Sequence, residues 1–232
     1  MMRIRKSVDR GHFNHGWLDT YHTFSFADYH DPEHVQFRSL RVINEDRVAP
    51  ARGFGMHAHS DMEIITLVLE GALEHKDSLG NGSVIRPGDL QRMSAGSGIE
   101  HSEFNPSEEE AVHLYQIWLR PRRLGLPPSY EQLAFDHEAR INALQLVASP
   151  EGSSGSLTIR QDARLFLSDV ENGGSVSYRI KPGRGIWLQV LSGAARANGM
   201  ELSAGDGAAL TDESALELSG APDASCLLFD LA

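Results

Sequence analysis

In the stretch Gly53-Phe54-Gly55-Met56-His57-Ala58-His59-Ser60-Asp61-Met62-Glu63, two histidines stand two residues apart, and His101-Ser102-Glu103 repeats that spacing later. Side chains two apart on a strand share a face. Two such strands, side by side in a small barrel, bring His57, His59, His101 and Glu103 to one point. Three neutral imidazoles and a carboxylate suit a divalent transition ion such as iron, manganese, cobalt, nickel, copper or zinc. Magnesium and calcium ask for more oxygen ligands. Four protein ligands on an octahedral ion leave two positions open, room for a bidentate substrate or for substrate plus dioxygen. An HxH pair alone is most often a surface feature; its pairing with HxE some forty residues later is what makes the spacing specific.

The elements around these motifs read as strands. Met62 to Leu69 is a near-continuous apolar run ending at Glu70-Gly71, and Ala72 to Asp77 leads to the hairpin signal Gly80-Asn81-Gly82. Val84-Ile85, Leu90 to Met93 and Val112 to Leu119 follow, separated by Arg86-Pro87-Gly88-Asp89 and Gly96-Ser97-Gly98. Upstream, Thr23 to Phe26 alternates as a short strand, and Leu40 onwards gives another that ends in a polar turn at Asn44-Glu45-Asp46. Arg120 to Tyr130, with three prolines, reads as a linker. Beyond Ser149 to Ser156 the pattern resumes at Thr158, Ala163 to Leu167, Val176 to Ile180, Gly185 to Val190 and Leu227 to Leu231. Short strands with Gly/Pro punctuation indicate an all-β sandwich or barrel. The expected architecture is a duplicated antiparallel barrel, residues 1–135 with the metal site and 136–232 without it. All eleven histidines lie between His12 and His137, so the second barrel has no means of repeating the cluster.

Composition bounds the rest. The chain of 232 residues has 41% hydrophobic residues and no apolar run long enough to span a membrane as a helix. The charged start Met1 to Arg10 lacks the apolar core of a signal peptide. One cysteine, Cys226, excludes an internal disulfide and fits a reducing compartment. A cytoplasmic monomer without membrane association is expected. The formal charge of −11 argues against direct nucleic-acid binding, which needs a basic surface.

Several stretches carry a family resemblance. His57-x-His59-x3-Glu63 with Gly71 resembles the first cupin motif, and Gly98-Ile-Glu-His101-x3-Asn105 the end of the second. More narrowly, the chain resembles the pirins. The match lies in Arg10 to Asp19, His22 to Tyr29, His57 to Ile64, Leu69-Glu-Gly, Gly88 to Glu103 and Leu114 to Trp118, with Leu227 to Leu231 like the end of bacterial members. The resemblance implies a bicupin of two jelly-roll barrels with one metal ion, iron(II) first among the candidates, held by His57, His59, His101 and Glu103. For bacterial members it also implies quercetin 2,3-dioxygenase activity, with a flavonol and dioxygen meeting at the metal. Glu63 stands where many cupins take a carboxylate ligand, whereas pirins take theirs from the second motif. Glu63 is therefore expected as a near neighbour, sharing with Glu103 the role of proton acceptor. The alternative the resemblance offers is a metal- and redox-dependent regulator acting through protein partners.

Other residues have blander expectations. His75 reads as a hairpin histidine satisfied by Asp77, and His113 as a hydrogen-bonded core residue. Phe54 and Met56 alternate with the histidines and so should pack the outer face. The aromatics from Trp17 to Tyr29 have two readings, lining a flavonoid pocket or sealing one barrel against the other, of which the second is expected; Cys226 is expected to be a small core hydrophobe.

Overall fold

Short apolar runs cut by Gly, Pro and Asn turns fold as strands throughout. A computed structural model describes residues 1–232, the side chain of Ala221 apart; among the described residues it has no α-helix, only short 3-10 turns. The chain forms two compact units. One is built from Gly11–Phe135 with Leu157–Gln161, the other from Met1–Arg10, Asp136–Ser156 and Asp162–Ala232. The first ten residues thus lie with the C-terminal unit, because β1 (Met2–Arg5) pairs there with the strand at Gly207–Leu210.

The unit that carries the histidine motifs contains β2 (Gly11–Asn14), β3 (Leu18–His22), β4 (Leu40–Val48), β5 (Gly53–His59), β6 (Glu63–Glu70) and β7 (Leu73–Asp77). It continues with β8 (Gly82–Ile85), β9 (Asp89–Ser94), β10 (Ile99–Phe104), β11 (Val112–Leu119) and β12 (Ser129–Ala134). Seven strands form one sheet in the order β12-β9-β6-β11-β4-β3-β2, and four form another in the order β5-β10-β7-β8.

Two expectations need correction here. Thr23 to Phe26 is not a strand: the pairing segment is Leu18–His22, and the chain then turns, with Ser25 satisfying its loop by accepting from the Asp31 N–H and donating to the Asp31 carbonyl. The linker expected over Arg120 to Tyr130 ends early, since β12 returns from Ser129 to pair with β9.

Register explains what the barrel holds. His22, Asn44, Gln116, Thr66 and Gln91 are successive cross-strand partners on β3, β4, β11, β6 and β9. Directly opposed residues share a face, so this row is a polar stripe on one side of the sheet. To one side of it Leu18, Val48, Val68 and Leu114 form an apolar cluster; to the other, Ile64, Met93 and Ile99 pack with Trp118.

The C-terminal unit adds β13 (Gln145–Ser149), β15 (Ala163–Val170), β16 (Ser175–Arg179), β17 (Gly185–Ala197), β18 (Met200–Ser203), β19 (Gly207–Leu210) and β20 (Ala215–Leu231); β14 (Leu157–Thr158) belongs to the other unit. β17 and β20 pair along most of their lengths, with bulges near Val190/Ser192 and Gly193/Ala195 that bend the long strands. Gly193 is required there: its φ is +72°, and a Cβ would overlap the Asp223 carbonyl. The interior is apolar, with Ile186, Leu188, Val190, Leu216, Leu218 and Leu228 packed together. Cys226 lies among them, its thiol pushed up to about 12, chiefly by burial.

Asp206 ties β1's following turn to this unit. It accepts from Lys6 Nζ at 2.8 Å, the Ser7 N–H at 2.7 Å and the Ser203 N–H at 3.0 Å. Burial alone would raise its pKa, but these bonds outweigh it and hold the carboxyl below its ordinary value of 3.8. A carboxylate held low adds stability that is complete above that value and is lost as pH falls through the folded pKa. Asp206→Asn should therefore cost on the order of 2 kcal/mol near pH 7. Melting temperatures of both proteins, followed down to acid pH, should converge; a gap that persists undiminished would refute the assignment.

Candidate metal centre

β10 runs antiparallel to β5 with His101 opposite His57 and Ile99 opposite His59. Between His101 and Glu103 the register slips, so that Glu103 faces Phe54 and not Gly55. This bulge re-aims the two ends of the motif. Gly53 permits it, because a Cβ there would overlap the Glu103 carbonyl and the Phe104 backbone. The slip also overturns the expected place of Phe54. Met56 is on the outer face, 61% exposed, but Phe54 turns inward, packs edge-on against Trp17 at 5.3 Å and lines the site cavity.

The donor atoms of His57, His59 and His101 lie within 4.8 Å of one another, and those of His75, His101 and Glu103 form a second such group sharing His101. Ring centroids are 4.8 Å apart for His57 and His59, 4.4 Å for His57 and His101 and 4.9 Å for His59 and His101, with steep interplanar angles. The rings converge edgewise and do not stack.

Hydrogen bonds assign the protons. His57 Nδ1 is 2.8 Å from the Gly55 carbonyl, so that nitrogen carries the hydrogen and Nε2 is a lone pair. Asp77 Oδ2 accepts from His75 Nε2 at 3.2 Å, which leaves His75 Nδ1 as an acceptor whose single lone pair is shared by Gln91 Nε2 and His101 Nδ1 at 3.4 and 3.5 Å. His101 Nε2 is then bare. It is buried, as is Glu103 Oε1, and neither has a hydrogen-bond partner. The other Glu103 oxygen, Oε2, accepts from Gln116 Nε2 at 2.8 Å, and Gln116 Oε1 accepts from Trp118 Nε1 at 3.0 Å. Two orphaned buried lone pairs of these types fit a cation between them.

Electrostatics agree. Burial, helped by the neighbouring imidazoles, lowers His59 to about 4 and His101 to about 3, so both are neutral at pH 7, the form in which an imidazole can hold a metal. Burial raises Glu103 to about 7, with the Gln116 bond and the nearby Thr66 hydroxyl opposing and Asp46 adding repulsion. The cavity beside the cluster measures about 300 Å³, at the small end for ligand sites, and Phe26, Phe54 and Trp118 wall it. Phe26, expected to seal one barrel against the other, therefore serves the pocket.

Glu63 is not part of this assembly. Ile64 and Thr66 pair with Trp118 and Gln116, which point into the barrel, so Glu63, one step off in the alternation, points out of it. It is 2% exposed, and its Oε2 accepts from Ser94 Oγ at 2.8 Å and from the Arg160 N–H at 3.0 Å. His75 and His113 are as expected, bonded to Asp77 and, at 3.0 Å, to Glu45. Asp46 and Gln116 were missed. The alternation Val42, Asn44, Asp46, Val48 was the available signal: it marks one inward face and argues that the strand continues past Asn44 to Val48.

Two β-barrel units, one of them lined with a convergent histidine cluster, define a bicupin. The chain belongs to the pirin family: the model described as Pirin matches residues 2–119, and that of the quercetinase C-terminal cupin domain matches 146–231. The chain is 47% identical over 231 residues to an Escherichia coli protein named quercetin 2,3-dioxygenase, covering 100% of this chain and 99% of the relative. A Pseudomonas aeruginosa protein named putative quercetin 2,3-dioxygenase is 43% identical, with 98% and 99% coverage. The crystal structure of the bacterial pirin YhhW from E. coli in complex with nickel(II) matches with a TM-score of 0.95 at 47% identity, over 100% of this chain and 99% of that one.

Gly53→Ala tests the bulge. The added methyl must push Glu103 and Phe104 away, so metal affinity should fall by about tenfold while far-UV circular dichroism is unchanged. An unaltered affinity would show that the register slip does not position the carboxylate.

Proposed function

We propose that the chain is a metal-dependent dioxygenase that opens the heterocycle of a flavonol such as quercetin. His57, His59, His101 and Glu103 are the metal ligands of the N-terminal cupin, and the C-terminal cupin carries none. The observation that supports this best is the pair of bare ligand atoms, His101 Nε2 and Glu103 Oε1, beside an aromatic-walled cavity. Full-length similarity to an E. coli protein named quercetin 2,3-dioxygenase names the substrate class.

One ion, iron(II) by preference, with zinc, nickel, cobalt, manganese or copper suiting the same donors, would supply Lewis acidity toward the flavonol 3-hydroxyl and 4-carbonyl oxygens and an electron route to dioxygen. The protein's own groups do the remaining work. His57 is kept in one tautomer by Gly55, and His101 by His75 and Asp77. Gln116 holds one oxygen of Glu103, and the second lone pair of Oε1, the one not turned to the ion, is the base for the 3-hydroxyl proton. Phe26, Phe54 and Trp118 keep water from the ring as it opens and carbon monoxide leaves. Glu63, bonded on the far face of its strand, takes no part.

We infer a cytoplasmic monomer. The buried lone thiol of Cys226 is compatible with a reducing compartment.

Oxygen uptake and carbon monoxide release with quercetin, on protein loaded separately with each ion, test the reading. A redox-active ion should give turnover, and His101→Ala should lose the metal and at least about 100-fold in rate. Tight metal binding with no turnover under any ion would overturn it.

A further inference from the structure

The cavity has a second polar end that the metal ligands do not use. On β4, Asn44 and Asp46 both turn inward, and their partners on β3 are His22 and Thr20. His22 Nδ1 donates to Asn44 Oδ1 at 2.8 Å, and Thr20 Oγ1 donates to Asp46 Oδ1 at 2.5 Å. Asp46 is 4% exposed, yet among the described residues its Oδ2 receives no hydrogen bond. It lines the cavity from the seven-stranded sheet, while His57 and His59 line it from the four-stranded one.

That oxygen is not among the fully sealed unpartnered atoms, so it opens onto the cavity; a ligand that covers it without a donor incurs its desolvation, and no lysine or arginine lines the cavity to compensate. Asp46 is in neither cluster of donor atoms near enough to share an ion, so a second cation is not its complement. What remains is an O–H group on whatever fills the cavity. An acceptor held in place by Thr20, with no competing donor from the protein, is arranged for such a group, because a polar site left unpaired penalises a ligand that lacks the matching hydroxyl.

We propose that Asp46, positioned by Thr20, accepts a hydrogen bond from a phenolic hydroxyl of the substrate other than the one at the histidine cluster, and so selects polyhydroxylated flavonols over those carrying the 3-hydroxyl alone. This rests on the flavonol reading given above. Asp46 is thus a specificity residue, distinct in role from Glu103.

Equilibrium binding under nitrogen, on metal-loaded protein, tests it without turnover. The probes are 3-hydroxyflavone, which carries only the 3-hydroxyl, and galangin, which adds hydroxyls at positions 5 and 7 of the same ring system. Wild type should bind galangin about tenfold or more tightly than 3-hydroxyflavone. Asp46→Ala should bring the two to parity, weakening galangin and relieving the penalty on 3-hydroxyflavone, while metal content stays at the wild-type level. Asp46→Asn, of the same shape and with a neutral acceptor, should keep part of the preference, which guards against a folding defect in the alanine variant. Equal weakening of both ligands in either variant would make Asp46 structural and overturn the proposal. A wild type that binds both flavonols equally would overturn it while leaving the flavonol reading intact; a wild type that binds neither would overturn both.

Discussion

Two lone pairs that the protein buries and leaves bare, on His101 Nε2 and Glu103 Oε1, are the constraint on which the N-terminal barrel depends. Each such group costs about 1–3 kcal/mol when nothing answers it. They stay in place because the side chains that orient them are themselves committed elsewhere. Asp77 holds His75, His75 accepts from His101, Gln116 holds Glu103, and Trp118 holds Gln116. Asp77 is itself kept low in pKa: burial would raise it, but bonds from Asn81, His75 and the backbone outweigh that. A donor chain of this kind spends its hydrogens away from the site and leaves the acceptor ends converging.

The polar stripe across the large sheet is the same device seen at the level of topology. Five cross-strand partners, His22 to Gln91, form a belt between two apolar clusters. Gln116 and Gln91 reach from that belt to the site, one to Glu103 and the other to His75. The C-terminal unit has no such belt. Leu188, Leu216, Leu218 and Leu228 pack its interior, and its single histidine, His137, is on the surface beside Asp169. Two barrels of similar strand pattern thus have different fillings: one packs itself with apolar side chains, the other keeps a cavity and polar donors.

Much of this was legible in the residues. The period of two in His57-x-His59 and His101-x-Glu103 places each pair on one face whatever the fold's details, and the Gly/Pro turns delimited β6 to β11 closely. What was hidden depended on pairing between distant segments. Phe54 was assigned outward by alternation, but the bulge opposite Glu103 breaks the alternation between Phe54 and His57, and a bulge belongs to two strands at once. Glu63 matched a motif position, but a motif does not say which face of β6 meets the cavity; that is set by pairing with β11. Asp46 looked like a turn because Asn-Glu-Asp is turn-forming in isolation, whereas pairing on both sides, to β3 and to β11, holds it in a strand.

Charge closes the account of the cavity. Asp46 and Glu103 both line it, and burial raises each to about 7, with repulsion from Asp46 adding to the rise at Glu103. Two of the imidazoles beside them contribute no compensating charge, since burial holds His59 and His101 neutral. No basic side chain lines the pocket either. An interior with acidic groups, neutral nitrogen donors and no cation is unfavourable for an isolated protein and favourable for one that takes up a divalent ion. The same balance sets the two acids apart. Glu103, on the strand beside His57, keeps one oxygen bare, and Asp46, on the facing sheet, is braced by Thr20; the proposed division of roles between ion and substrate rests on that difference.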